Sequence, residues 1–266
     1  MNSGASSSIY CHLVPPECLT PSHMERLIAA VFIQGIAVAP LILIARPLEK
    51  RWKHLLLFFA FYVLYVFLLA LPNYYTGLKM VAGDWNWSGK IYATTGSLLF
   101  YFLCRKAFSE IDFITFKQNS ASTRWKLMAT MLVFVVAVGL AFFSKNNSAA
   151  RSEYFLFQFT MPGLDEELAF RGVMLGLLSN ALPSKLYVGA KNLGHPALLI
   201  TSVLFGLLHS LSIDQQWGFH HNWFEFFNAF FVGCLLAWIT LRTGSIVMPV
   251  LVHNLINTLP KIIFGI

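Results

Sequence analysis

The chain reads as long apolar runs separated by short polar segments rich in Lys and Arg. Leu27–Ala45 carries no charge and is followed by Arg46, Lys50, Arg51 and Lys53, and Leu55–Pro72 is a second run of the same kind. Ile91–Cys104 is shorter and stops at Arg105 and Lys106; Leu127–Ser144 is the fourth. Tyr154–Leu182 is long enough to span, yet three consecutive acids interrupt it, Asp165, Glu166 and Glu167. Pro196–Leu211, Trp223–Leu241 and Ile246–Leu259 complete the set of eight. A hydrocarbon core about 30 Å thick needs roughly 20 apolar residues in a helix, so the pattern predicts a bundle of transmembrane helices, the third short for a full span. None of the runs alternates as the strands of a membrane barrel do. The expected fold class is all-α, a polytopic transmembrane helical bundle of about eight spans.

Composition agrees. Apolar residues make up 57% of the 266 residues and charged ones 12%, against roughly 45–50% and about 25% in ordinary globular proteins. That leaves too little polar surface for a water-soluble body, and it excludes a disordered chain or a disulfide scaffold as the main reading. The net charge of +7 does not point to nucleic acid, because the basic residues fall in short clusters between apolar runs, as in a polytopic membrane protein. The expected partners are the bilayer and a membrane-associated substrate, not nucleic acid.

Basic-residue bias orients such a bundle. The loops after helices one, three, five and seven hold twelve Lys or Arg, from Arg46 to Arg242. The other loops and tails hold six: Arg26, Lys79, Lys90, Lys145, Arg151 and Lys261. This places both termini outside the cytoplasm and puts the sequon Asn86-Trp87-Ser88 on the outer side. The polar segment 1–23 has no basic stretch followed by an apolar core, so it reads as a tail and not a cleavable signal peptide. Cys11 and Cys18 lie in that tail and Cys104 and Cys234 near helices; no pair has metal-ligand spacing.

An ionisable side chain at mid-bilayer costs about 2.5–3.5 kcal/mol on insertion scales, so an intramembrane charge suggests function. The set here is Asp165, Glu166, Glu167, Arg171, His209 and His253, with Asn257 as a polar companion, supplied by three separate helices. Glu167 and Arg171 are four apart and share a helical face, fit for an ion pair. Glu166 is turned about 100° from Glu167 and is left to face a cavity. Pro162-Gly163 suggests a helix start just before the acids, which would put three carboxylates at the positive end of a helix dipole. Phe205 and His209 share one face, as do His253 and Asn257. Two histidines and a carboxylate can polarise a water with or without a metal ion, and Asn257 can donate to a developing oxyanion. A lone intramembrane His is more often a hydrogen-bonded packing residue; three helices each bringing such an element argue against packing alone.

Glu166-Glu167-Leu168-Ala169-Phe170-Arg171 reads as EExxxR, Phe205 to His209 as FxxxH, and His253 to Asn257 as HxxxN. In that order, on three apolar helices, they resemble the CPBP family of CAAX prenyl endopeptidases of the Rce1 type and bacteriocin-processing or immunity (Abi) proteins. Thr240-Leu241-Arg242-Thr243-Gly244-Ser245 and Met248-Pro249 look like the family's lead-in to the last motif. The likeness covers about residues 154–260 and divides the chain into the tail 1–23, an N-terminal four-helix membrane region 24–150 and a CPBP-like catalytic membrane domain 151–266.

The resemblance implies an intramembrane endopeptidase, glutamic or metal-dependent. Glu166 would activate the hydrolytic water with help from His209, His253 and Asn257 would stabilise the oxyanion, and Glu167 and Arg171 would support the site. No cofactor is expected; if a metal such as zinc binds, Glu166, His209 and His253 would hold it, although there is no HExxH. The implied substrate is a membrane-associated peptide, prenylated at a CAAX end or an exported or sorting-tail peptide, and the implied location is the cytoplasmic membrane of a prokaryote. The aromatic run Trp223, Phe224, Phe226, Phe227, Phe230 and Phe231 could line a prenyl-binding surface, though such a run is more often lipid-facing. Two other readings compete. One is a non-proteolytic immunity or scaffold protein of the same family. The other is a proton-coupled transporter, against which stands the lack of an inverted repeat.

Overall fold

The computed structural model describes residues 21–119, 149–188, 190–192 and 194–264. The expected fourth helix, Leu127–Ser144, and the cysteines of the tail lie outside the described residues. Helices dominate. In chain order they are α1 (Pro21–Ala45), α2 (Trp52–Tyr74), α3 (Trp87–Leu103), α4 (Ala149–Glu167), α5 (Leu175–Ala181), α6 (Pro196–Ser210), α7 (Trp223–Thr243) and α8 (Val247–Phe264). A π-helix, Leu168–Met174, joins α4 to α5 without a break. Among the described residues, α1 from Met24, α2 and α7 are long and apolar enough to cross a membrane, while α6 and α8 offer shorter apolar stretches.

The helical expectation therefore holds, with an addition the apolar pattern did not signal. Two antiparallel hairpins cap the helices: β1 (Tyr187–Val188) with β2 (Lys191–Asn192), and β3 (Leu211–Ile213) with β4 (Phe219–His221). In the turn of the second hairpin Asp214 takes backbone N–H groups of Gln216 and Gly218 at 2.8 Å, and its other oxygen meets His220 Nε2 at 2.6 Å. Chiefly because of the His220 contact, the Asp214 carboxyl is held below the usual carboxylate range. His220 and His221 belong to this exposed hairpin and not to the charged cluster described below.

The continuous rod of α4, π-helix and α5 is the centre of the molecule. Every residue from Leu168 to Ala181 is buried, and α2, α3, α6, α7 and α8 all pack against some part of the rod. Around it α2 lies on α3, α1 on α6, and α6 on α7. Small residues let these backbones approach closely, as is usual where lipid supplies no hydrophobic drive between helices. A Cβ on Gly233 of α7 would stand 3.3 Å from Ser202 of α6, and one on Gly206 of α6 would stand 3.0 Å from Phe226 of α7.

The outer surface carries many large apolar side chains. Phe32, Leu43, Phe102, Leu103, Phe224 and Phe231 are each more than 60% exposed. In water such a belt would far exceed the apolar patch of a soluble monomer; against acyl chains it is the expected exterior. On α7 the exposed Trp223, Phe224, Phe227 and Phe231 form part of this belt, while Phe226 turns inward onto Gly206. The aromatic run is thus a packed seam on one side and an outward face on the other.

Candidate functional site

The sequence places three acids in mid-rod, and the fold disposes of each differently. Glu167 is fully buried, with Arg171 Nε 3.1 Å from its Oε2 and His253 Nδ1 2.7 Å from its Oε1. Arg171, the largest fully buried side chain, also donates to the Gly233 carbonyl at 3.3 Å, and its guanidinium lies 4.5 Å over the Phe205 ring. The expected Glu167–Arg171 pair is present, and it ties together the rod, α6, α7 and α8. Phe205, the first residue of FxxxH, serves as the apolar floor for both Arg171 and His209, whose ring centroid is 4.3 Å away.

Glu166 faces elsewhere, as its rotation from Glu167 requires. Its Oε2 lies 3.8 Å from His209 Nε2 and 3.8 Å from His253 Nε2. That oxygen is buried and has no hydrogen-bond partner among the described residues. The opposite ring nitrogens settle the imidazole tautomers. His209 Nδ1 is 2.8 Å from the Phe205 carbonyl, which can only accept, so Nδ1 carries the proton. His253 Nδ1 faces the Glu167 carboxylate and carries one for the same reason. In a ring without a second proton, Nε2 turns its lone pair toward Glu166 Oε2. A water donating one proton to Glu166 Oε2 and the other to one of these Nε2 atoms can bridge the gap.

The helix carrying the acids begins earlier than expected. Pro162 lies inside α4, which starts at Ala149, so the carboxylates are not in a first turn and no helix dipole favours them. Buried helices tolerate such a proline where neighbouring groups satisfy the disturbed backbone. Here Asn254 of α8 accepts the Gly163 N–H at 2.8 Å. A Cβ on Gly163 would overlap Asn254 Oδ1 and stand 2.6 Å from the Val250 carbonyl oxygen. Gly163→Val is expected to push α8 away and cost about 1–3 kcal/mol, as overpacking does. Thermal unfolding in detergent checks this; an unshifted midpoint would show that the close approach is dispensable. Asn257, one turn beyond His253, is half-buried. It is its neighbour Asn254 that fastens α8 to α4.

Sequence reasoning missed Lys90. Placed in an outer loop with the third helix starting at Ile91, it lies instead in the first turn of α3 and is 8% exposed. Its ammonium is 2.6 Å from Glu166 Oε1 and 3.0 Å from Asp165 Oδ2. Asp165, fully buried, also accepts from Tyr65 of α2 at 3.0 Å. Lys90 leaves the tally of outer basic residues. The nearby sequon is closed as well: the Asn86 side chain caps α3 by accepting from Gly89 N at 3.1 Å and donates to the Leu69 carbonyl at 2.9 Å. A buried asparagine with both ends engaged is no glycosylation acceptor.

As metal donors, one carboxylate and two imidazoles suit zinc. Their disposition does not: no group of three His, Cys, Asp or Glu among the described residues is arranged to hold a metal ion. The Lys90 ammonium also already occupies the other oxygen of the carboxylate.

An apolar exterior around buried charges defines a membrane protein with a polar interior cluster. Its C-terminal part has a likeness. Residues 148–259 match the model described as type II CAAX prenyl endopeptidase Rce1-like. This segment is similar to that protease family, in line with the resemblance carried by the three motifs. Over 107 residues the chain is 31% identical to an uncharacterized 24.3 kDa protein of Escherichia coli, an alignment covering 40% of this chain and 42% of that one. The chain thus spans less than half the length of the curated relative it matches. No solved structure matches.

Proposed function

We propose that this protein is a multi-pass intramembrane endopeptidase in which Glu166 activates water to hydrolyse a peptide bond of a membrane-associated substrate. The observation that carries the reading is the convergence of Glu166 Oε2 with the Nε2 atoms of His209 and His253, each 3.8 Å away. Glu166 Oε2 takes a proton from the bridging water, and the oxygen attacks the scissile carbonyl carbon. A proton drawn from bulk water at His253 Nε2 as the substrate binds, and returned to it when the products leave, turns that ring into a donor, which with Asn257 faces the oxyanion. The intermediate then collapses, the C–N bond breaks, and the proton held by Glu166 passes to the leaving amine with help from His209. Glu167 and Arg171 touch no substrate; they hold His253 and the rod in register. No step needs a metal.

The CAAX description of the matched family supports a peptide with a lipidated C-terminal end as the first substrate class to test; an exported or sorting-tail peptide is the second. About eight spans, termini on the outer side and a prokaryotic cytoplasmic membrane complete the reading. Lys90 is the fourth residue of α3, which supports a cavity near the end of the bundle where that helix begins. The test is cleavage by the purified protein in detergent. Prenylated and unprenylated peptides are offered to wild type and to His209→Ala, with and without a chelator. Cleavage that survives chelation and falls about 10²-fold or more in His209→Ala is expected. Turnover abolished by the chelator would overturn the metal-free mechanism, and equal rates in the two proteins would overturn the site.

A further inference from the structure

The family match begins at residue 148, yet the candidate base is held from outside it. Lys90 lies in the N-terminal half, 76 residues away in sequence, and its ammonium makes the shortest contact that Glu166 has, 2.6 Å to Oε1. Nothing about that position is loose. Asn86 caps the helix, and Lys90 N–H bonds to the Asn86 carbonyl at 3.1 Å. The Asn86 side chain is tied to the Leu69 carbonyl of α2. Gly89 brings the turn so near that same carbonyl that a Cβ would overlap it. From α2, Tyr65 donates to Asp165, the second acceptor of the ammonium. α2 and α3 thus present one buried cation to two adjacent carboxylates.

We propose that Lys90 is a positioning residue of the catalytic centre. By engaging Oε1 of Glu166 it fixes the carboxylate plane, so that Oε2 alone faces His209 and His253. Asp165, itself held by the Tyr65 hydroxyl, fixes Lys90 in turn by engaging the ammonium at 3.0 Å. Without this clamp the Glu166 side chain is free to rotate, and Oε2 leaves the position between His209 and His253 from which it meets water. Lys90 takes no part in bond making. A residue of this kind lowers turnover when lost and leaves substrate binding nearly as it was.

The inference rests on the reading of Glu166 as the water-activating group, so the test has two independent arms. In the first, the full-length protein in detergent is treated with dicyclohexylcarbodiimide, an apolar carboxyl reagent, and modification at Glu166 is read by peptide mass spectrometry. Wild type and Lys90→Arg are expected to be protected, and Lys90→Met to be modified at least about tenfold faster. In the second, a farnesylated reporter peptide is cleaved. Lys90→Met is expected to lower kcat by about 10²-fold with KM within about threefold of wild type, and Lys90→Arg to recover most of that loss. Thermal unfolding qualifies each variant, and Lys90→Gln replaces Lys90→Met if the latter does not fold. Equal modification of Glu166 with and without the ammonium overturns the clamp whatever the peptide does. Protection lost in Lys90→Met, with no cleavage of the reporter by wild type, supports the clamp and counts against the protease reading. A loss expressed in KM alone overturns the positioning role.

Discussion

Glu166→Gln lowers kcat/KM for peptide cleavage by about 10³-fold or more, at the upper part of the range for loss of a general base, equivalent to about 4 kcal/mol of transition-state stabilisation. The amide keeps the shape of the side chain and can still accept from Lys90. Lys90 also retains Asp165 at 3.0 Å, so the cluster does not lose its charge balance through an unpaired ammonium. The fold should therefore survive while the chemistry stops, because an amide oxygen does not take a proton from water. Steady-state kinetics together with the thermal midpoint of the purified variant check both halves. A Gln variant within tenfold of wild type would remove Glu166 from the mechanism. A variant that no longer folds would instead assign the carboxylate to structure.

The second large effect is on stability and falls on Arg171. In Arg171→Met the aliphatic volume is kept, but Glu167, fully buried, loses its cationic partner and retains only His253. Breaking a buried pair from one side costs about 3–5 kcal/mol, because the remaining charge stays in a medium that does not solvate it. For a chain of this size that is a fall of roughly 10 °C in the midpoint. Adding Glu167→Gln removes the orphaned charge, so the double variant is expected to be more stable than Arg171→Met alone, a coupling that a mutant cycle measures. Midpoints compared at one heating rate, as slow or irreversible unfolding demands, decide it. A double variant no better than the single one would show that Arg171 contributes through packing on Phe205 and not through charge.

How far these residues can be read in advance depends on the range of the interaction that fixes them. Glu167 with Arg171 lies four residues apart on one helix, so spacing alone announced the pair. The different facing of Glu166 followed from helical rotation. His209 and His253 stood out because an ionisable side chain within an apolar run needs a reason. The partners drawn from afar were another matter. Lys90 sits at the edge of its run, where a basic residue usually marks a membrane boundary, and only the close approach of α3 to α2 turns it inward. Tyr65 and Asn254 look like ordinary members of their helices. Pro162 misled because proline more often opens a helix than continues one; the Asn254 amide of a helix some ninety residues on, taking the Gly163 N–H, is what reconciles it with the interior. The hairpin Leu211–His221 is too short and too mixed in character to announce itself.

The π-helix at Leu168–Met174, closed by the bond from Leu175 N–H to the Phe170 carbonyl, has a consequence for how this protein can change length. A π turn accommodates one residue more than an α turn would, and it falls between the acids on one side and α5, with its contacts to α2, on the other. Deleting a single residue there would let the rod close into a plain α-helix with Glu166 and Glu167 still in phase with α5, because the π turn absorbs its extra residue without turning its flanks. A deletion in the α-helical turns on either side has no such slack, since each residue of an α-helix accounts for about 100° of rotation. The segment is a reserve of length: the rod can give up one residue there and keep its two halves aligned.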